Sequence, residues 1–518
     1  MAIRTYGLSG SGMDVDQLVK DMMSARREQY DKLWQKKTQL EWKKTDYNTM
    51  YNTIQNFRNT TAFNYRLSST TIPKIVTSSA DSIVTATANA DAANVSRSIN
   101  VISLAEGAKT TSTGKISVGA KDSLASQLYG SEEDVPAAPF ELKLKDSISG
   151  EKSITITVDP TKSIYDFVSD LNKSGLNIRA NYDAVLDRFQ ISTTGSGEDV
   201  AIDFTGTTDD VGKEFLKKLK LDVIEIDNEG TEEETITIKA NKGKDAEVEL
   251  DGTTITHSSN TFTAFGVTYN LKAKGEANIH VSADNDKAVT AVKDFIAQYN
   301  TLLETINKEL SEAKYTSYMP LTNEMKGALS DSQITQWEDM AKSGLLRNDS
   351  TLQSLIYKLR NDIATPISGI AGKYNSLSAI GVTTGSDYLE GGKLYLDEAG
   401  EKKLKEALEA DPDIVNKLFG SSGDDRNSQG VAGRLYDTLK SGMDTIKETA
   451  GITGTINGDT QSTLAKQIRD YENSLDRMND RLTQMEERYY KQFNAMEAAL
   501  SKLSQQSSWL ANMFSSGN

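Results

Sequence analysis

Apolar and polar positions recur with three different periods along the 518-residue chain, and the changes of period divide it into zones. From Asp14 to about Tyr65 the spacing is helical. Val15, Leu18, Val19 and Met22 share one face, and Tyr30, Leu33, Lys37, Leu40, Lys44, Tyr47, Tyr51 and Ile54 follow in steps of three and four. Lys37 and Lys44 interrupt that stripe; charge in a helical seam weakens packing but can set register and choice of partner. From about Val76 to Val281 the period drops to two. "IVTAT", "INVISL", "FELKLK", "SITITV", "NIRANY", "TITIKA" and "AEVEL" alternate apolar and polar residues and are rich in Ile, Val and Thr, which predicts strands. Asp251-Gly252 predicts a tight hairpin turn between two of them. One helix interrupts this zone at Ile164, Phe167, Val168 and Leu171, ending near Gly175, and a shorter one is expected around Val211 to Leu221.

Helical spacing returns from Asp286 to about Met443. Val289, Val292, Phe295, Ile296, Tyr299, Leu302, Leu303 and Ile306 form one broad stripe, and Ser350 to Ile363 predicts another helix. "GVTTGSDYLEGGKLYL" between Leu377 and Leu396 carries a small strand signal, and "GSSGDDRNSQG" at 420–430 reads as a solvated loop. From Gln461 onward the pattern is a heptad. Leu464, Ile468, Tyr471, Leu475, Met478, Leu482, Met485 and Tyr489 step 4, 3, 4, 3, 4, 3, 4 with no charge in the seam. The stripe then shifts to Phe493, Met496, Leu500, Leu503 and Leu510, a stutter that locally unwinds a supercoil.

Both ends of the chain are therefore helical seams around a strand-rich middle, and the two seams are expected to pair with each other. The fold class expected is multidomain α+β: a coiled-coil leg built from the paired terminal segments, a helical-bundle domain, and two β-rich head domains, one inserted in the other. The divisions are 1–40 for the N-terminal leg, 41–75 and 283–455 for the helical domain, 76–110 with 241–282 for the inner head, 111–240 for the outer head and 456–518 for the C-terminal leg. Lone helical arms are marginally stable, so protease-labile ends are expected around a resistant middle of roughly residues 70–450.

Composition sharpens this picture. Hydrophobic residues make up only 37% and mean hydropathy is −0.49, which suits an elongated molecule with much surface per residue. Net charge is −16, so nucleic acid is not expected as a partner. The first 60 residues are the exception, with more Lys and Arg than Asp and Glu. The absence of cysteine excludes disulfides, thiolate catalysis and cysteine-based metal sites. Residues 1–25 lack the apolar core of a secretory signal, and no run approaches the roughly 18 apolar residues of a membrane span, so neither membrane insertion nor signal-directed secretion is expected.

Candidate chemistry is sparse. Gly7, Gly10 and Gly12 fit neither a phosphate-binding loop nor a dinucleotide fingerprint, since no Lys-Ser or Lys-Thr follows and no strand has room to precede them. They read as a lead-in to a helix for which Ser11 or Asp14 is the N-cap, with Gln17 three residues after Asp14 as in a capping box. His257 and His280, the only histidines, lie in strand-like segments without metal-ligand spacing or a catalytic context. No enzyme activity, metal or cofactor is expected.

A set of stretches in fixed order resembles the bacterial flagellar filament cap family, flagellar hook-associated protein 2. They are "GLSGSGMDVDQLVKDMMSARREQYDKL" (7–33), "DGTTITHSSNTFTAFGVTYNLKAKG" (251–275), "LLRNDSTLQSLIYKLR" (345–360), "SLSAIGVTTG" (376–385), "KLYLDEAGEKKLKEALEADPDIVNKLF" (393–419) and "MEERYYKQFNAMEAALSKLSQQSSWLANMF" (485–514). Residues of about 111 to 240 match least. The resemblance implies a non-enzymatic, ring-like homo-oligomer at the filament tip that helps exported flagellin subunits fold and insert, with an adhesion role in some members. It also implies flagellin, hook–filament junction proteins, the flagellar export chaperone and the type III export apparatus as partners, and an extracellular location reached by that export route. Leg packing and oligomer contacts are then expected at Val15, Leu18, Met22, Leu33, Leu40, Tyr47 and Ile54, and at Leu464, Ile468, Leu475, Leu482, Met485, Phe493, Met496, Leu500, Leu503, Trp509 and Leu510. Trp509, slightly off the seam, is the best placed to face a neighbour. Periodicity alone leaves open a flagellin-like or junction protein, which shares terminal helices, and an adhesin on a coiled stalk.

Overall fold

A computed structural model describes residues 14–130, 135–136, 138–149, 153–231, 234–385, 391–452 and 459–515, with side chains to 512. The glycine-rich opening at 7–12, with Ser11, and part of the strand signal at 386–390 lie outside the described residues. The chain forms two compact units, Met1–Ile72 with Asn285–Asn518, and Pro73–Asp284.

The first unit is helical. Val15–Phe57 is one helix of 43 residues, continued by a π-helical turn at Arg58–Ala62. Asp14 caps it, with its side chain accepting from Gln17 N at 3.0 Å. The reciprocal half of the expected capping box is absent, because the Gln17 side chain reaches forward to Asp21 instead, at 2.7 Å. The lower part of this helix supplies Tyr47, Ile54 and Phe57 to a core shared with Asn285–Ser311, Ser350–Ala364, Val431–Ala450 and the start of the last helix at Leu464. Phe295 meets Phe419 edge-on, with ring centroids 4.8 Å apart.

Inside this unit the loop at 420–430 is solvated on its outer side and pinned through its backbone. The largest fully buried side chain is Arg434. Its Nε donates to Arg426 O at 2.8 Å, Nη1 to Thr365 O at 2.7 Å, and Nη2 to Asn427 O at 2.6 Å and Pro366 O at 3.1 Å. The guanidinium so satisfies carbonyls past the end of helix Ser350–Ala364 and ties them to the loop. Arg426 in turn pairs with the buried carboxylate of Asp362, which also accepts from Thr438. The solvated reading holds, since Ser422 and Asp424 to Asn427 are exposed; what composition does not show is that two carbonyls of the loop are held by an arginine two turns away.

The second unit holds two apolar cores. The inner core gathers Val84, Ile99, Val101, Val248, Tyr269, Ile279 and Val281. A five-stranded antiparallel sheet lies over it, in the order Lys74–Ser78, Gly275–Ala283, Ser96–Ser103, Ala246–Leu250, Thr253–His257. Strands Thr261–Ala264, Val267–Leu271 and Val84–Ala88 form a second sheet. Asp251 and Gly252, with φ of 49° and 80°, turn Ala246–Leu250 into Thr253–His257; both central residues of this hairpin need positive φ.

The other core is inserted between the two halves of the first. It gathers Leu142, Leu144, Phe167, Leu171, Phe189, Ile191, Phe204 and Phe215. Helix Ile164–Lys173, started by a full capping box at Ser163 and Asp166, covers sheets whose strands include Phe140–Ser147, Ile154–Val158, Ile178–Asp183 and Arg188–Thr193. Helix Asp210–Lys218 stands where the shorter one is expected, and a further helix, Leu124–Tyr129, has no counterpart in the periodicity, since six residues give too few turns to display one.

Because Tyr47, Ile54, Phe57 and Leu464 are core residues of the helical unit, a resistant fragment of only 70–450 is not compatible with the packing. Limited proteolysis with mass spectrometry is expected to leave protected chain from about Leu40 through Leu464, with first cuts in the exposed stretch from Met496 onward. Early cuts between Tyr47 and Phe57 would contradict this.

Candidate assembly interface

The last helix, Thr463–Ser515, has 53 residues and runs antiparallel to the first. Three cross-helix contacts set the direction and the register. Lys44 Nζ lies 2.8 Å from Asp459 just before the last helix, Lys37 Nζ lies 3.1 Å from Glu472, and Tyr490 donates to Asp16 at 2.9 Å. As residue numbers fall along one helix they rise along the other. The two lysines that break the apolar stripe are thus the ones held by carboxylates of the partner segment. Lys37 also meets Glu41 at 3.3 Å. Burial alone would lower its pKa, but the bonds to Glu472 and Glu41 outweigh that and raise it.

Between these pairs lies an apolar seam. Val19, Met23 and Leu482 are 2%, 4% and 4% exposed, with Val15, Tyr30, Met478, Met485, Tyr489, Tyr490 and Phe493 packed around them. Each buried seam side chain contributes roughly 1.5–3 kcal/mol. Of the residues expected to pack, Val15, Leu482, Met485 and Phe493 meet in this seam, and Leu475 is buried a turn further along. Tyr47, Ile54 and Leu464 belong to the helical core instead, with Leu40 packed against it. Leu33 and Ile468 are half-buried.

Two groups of expected packing residues are not buried within the chain. Leu18 and Met22 are exposed at 38% and 43%, because the helix turns Val15, Val19 and Met23 toward its partner. Steps of 3 and 4 from Val15 lead to Leu18 and Met22, whereas two steps of 4 lead to Val19 and Met23; both stripes are apolar, and only the partner's position selects between them. Met23 and Tyr490 are the seam residues that the periodicity missed. Past Phe493 the last helix runs on with Met496, Leu500, Leu503, Trp509 and Leu510 exposed, Trp509 at 62%. Met496, Leu500, Leu503 and Leu510 are spaced as a packing stripe, with Trp509 slightly off it, and nothing among the described residues covers them.

Asp459 anchors the lower end of the pair. Burial pushes its carboxyl up, but hydrogen bonds from Lys44, the Ser462 hydroxyl and the backbone N–H groups of Ser462 and Gln461 outweigh burial and hold it at about 2.

The described residues contain no group of three or more His, Asp or Glu placed to hold a metal ion. His280 shares a 2.9 Å hydrogen bond with Ser96, and His257 stacks on Phe262 with centroids 5.4 Å apart. No described helix is long and apolar enough to cross a membrane.

Against this geometry the comparisons are specific. Residues 243–505 match the family described as flagellar hook-associated protein 2 C-terminus, and residues 11–108 match its N-terminus. A flagellar hook-associated protein 2 of Halalkalibacterium halodurans is 31% identical, over 97% of this chain and 98% of the relative. The chain belongs to the flagellar hook-associated protein 2 family. An A-type flagellar hook-associated protein 2 of Pseudomonas aeruginosa is 27% identical over 82% of this chain and 76% of the relative. The fold is also that of the D1-D2-D3 domains of the Escherichia coli flagellar cap protein, with a TM-score of 0.53 at 18% identity over 82% of this chain and 99% of that one. The two family matches bracket 109–242, the segment that carries the inserted core.

Two outcomes follow from the seam. Leu482→Ala is expected to destabilise the paired helices by about 2–3 kcal/mol, while Leu18→Ala changes stability by less than about 0.5 kcal/mol. Urea unfolding followed by circular dichroism separates them, and equal effects would reject the register. For Asp459→Asn a loss of about 1–2 kcal/mol is expected at neutral pH. Since the folded carboxyl titrates at about 2, below its ordinary 3.8, its contribution is present above about pH 4 and vanishes as pH falls through 2. The gap between wild type and variant should therefore close over that window.

Proposed function

We propose that this chain caps the distal tip of a bacterial flagellar filament as a ring-like homo-oligomer and promotes folding and insertion of exported flagellin subunits. Family membership supports the flagellar cap role. The observation that carries the oligomeric part is the row Met496, Leu500, Leu503, Trp509 and Leu510, with Leu18 and Met22 nearby in type. A regular apolar stripe left open on a long helix is the mark of a surface that meets other chains. Leu18, Met22 and Trp509 would then contact neighbours rather than close the stem.

The partners on this reading are further copies of the chain, flagellin, hook–filament junction proteins, and the flagellar export chaperone with the type III export apparatus. The location is extracellular, at the filament tip, and the role is structural, with no catalysis, nucleic acid or membrane insertion. A stalked adhesin accounts less well for a stem made from two distant ends of one chain; adhesion by the strand-rich unit would be an added property of a cap.

Deleting the gene in the source bacterium is expected to give cells that release monomeric filament protein and carry no filaments, and a copy truncated before Met496 should fail to restore them. Filaments of normal length in the deletion strain would reject the proposal.

A further inference from the structure

Two lysines of the first helix find a carboxylate one turn away, Lys32 at Glu28 (2.6 Å) and Lys37 at Glu41 (3.3 Å). Arg26 has no such neighbour: the residues three and four positions away are Met22, Met23, Gln29 and Tyr30. Arg481 and Arg488 of the last helix repeat the pattern. Their neighbours at that spacing are Arg477, Met478, Gln484, Met485, Lys491 and Gln492, without an acid among them. The acids Asp476, Asp480 and Glu487 each sit one residue before an arginine, which turns them onto an adjacent face of the helix. None of Arg26, Arg481 and Arg488 takes part in an ion pair among the described residues, and all three are exposed.

The three arginines converge. They wall a groove of about 370 Å³ between the two helices of the stem, with Met478, Leu482 and Met485 as its floor. That floor steps by four and three, the spacing that receives a helix laid along it. Leu18 and Met22 stand two turns and one turn before Arg26 at steps of four, so the apolar side chains left open at 38% and 43% lie on the same side of the first helix. Methionine is flexible and polarisable, and a floor built on it accepts side chains of several shapes. Guanidinium groups on the walls select carboxylates, which they hold through paired hydrogen bonds.

We propose that this groove docks an amphipathic helix of another protein, one that lays apolar side chains on the floor and carries Asp or Glu along its flanks. The site goes beyond the cap role proposed above, since that role names partners and no surface for them. A second copy of this chain has the wrong charge for the groove. From Lys491 to Asn512 its open rod carries Lys491 and Lys502 against a single acid, Glu497, so it offers no acidic flank. Its stem presents the same arginines, and like charges repel.

The test titrates the full-length chain with two fluorescent synthetic helices that share leucine anchors at helical spacing and differ only in bearing Glu or Lys on the flanks, read by anisotropy. The acidic helix is expected to bind saturably and at least about tenfold more tightly than the basic one. The triple variant Arg26→Glu, Arg481→Glu, Arg488→Glu changes only exposed side chains; it should keep its circular dichroism and exchange the preference. Because the chain has no cysteine, Gln484→Cys places a single thiol on the groove. An acidic helix carrying a bromoacetyl group should alkylate that thiol and leave Ser507→Cys, on the open rod, unmodified. Equal binding of the two helices, an unchanged preference in the triple variant, or alkylation at Ser507→Cys instead would overturn the proposal. So would self-association of the wild-type chain that the triple variant loses while neither helix binds, which makes a second copy the occupant. The measurement uses purified chain and leaves the filament phenotype aside, so the groove can fail while the cap role stands.

Discussion

The stem of the helical unit depends on burying one apolar face of the first helix against the last. Chain segments more than 400 residues apart in sequence must come together for this. The closure entropy of such a separation grows only logarithmically, so a seam as short as Val19, Met23 and Leu482 has a modest added cost to overcome once the intervening units have folded. A seam of interchangeable apolar residues does not choose a register on its own. The pairs Lys44–Asp459, Lys37–Glu472 and Tyr490–Asp16 do, because sliding either helix by one turn leaves charges without partners in a half-buried groove. Charge in the stripe thus weakens the seam in general and specifies it in particular.

The lower halves of the same helices are held differently. There Tyr47, Ile54 and Phe57 enter a closed core, and Arg434 and Asp362 bury charge inside it. Five guanidinium hydrogen bonds to carbonyls make that burial tolerable and convert a Gly- and Ser-rich loop into part of the scaffold. One helix therefore passes from a single closed core into a two-helix stem, and from there its partner continues as a bare amphipathic rod. Burial falls in that order.

In the strand-rich unit the same economy appears at the turns. Asp251 and Gly252 adopt positive φ because their side chains permit it, and the aspartate then serves a second purpose as the anchor of Arg97. Phe265 adopts the same backbone against its own preference.

The sequence by itself determined the kind of element at nearly every long stretch: the helices at both ends, the strands between Val76 and Val281, helix Ile164–Lys173 and the Asp251-Gly252 turn. Each is written in local spacing or in backbone preference, which neighbours far along the chain do not alter. It also determined the family, through stretches in fixed order. It did not determine which apolar stripe of the first helix faces inward, because Leu18 with Met22 and Val19 with Met23 are equivalent until a partner occupies one side. Nor did it reveal that Arg434 holds the backbone of the 420–430 loop or that Phe265 stands exposed on a turn of positive φ. Those outcomes depend on what lies across from a residue in space, and only the tertiary structure holds that information.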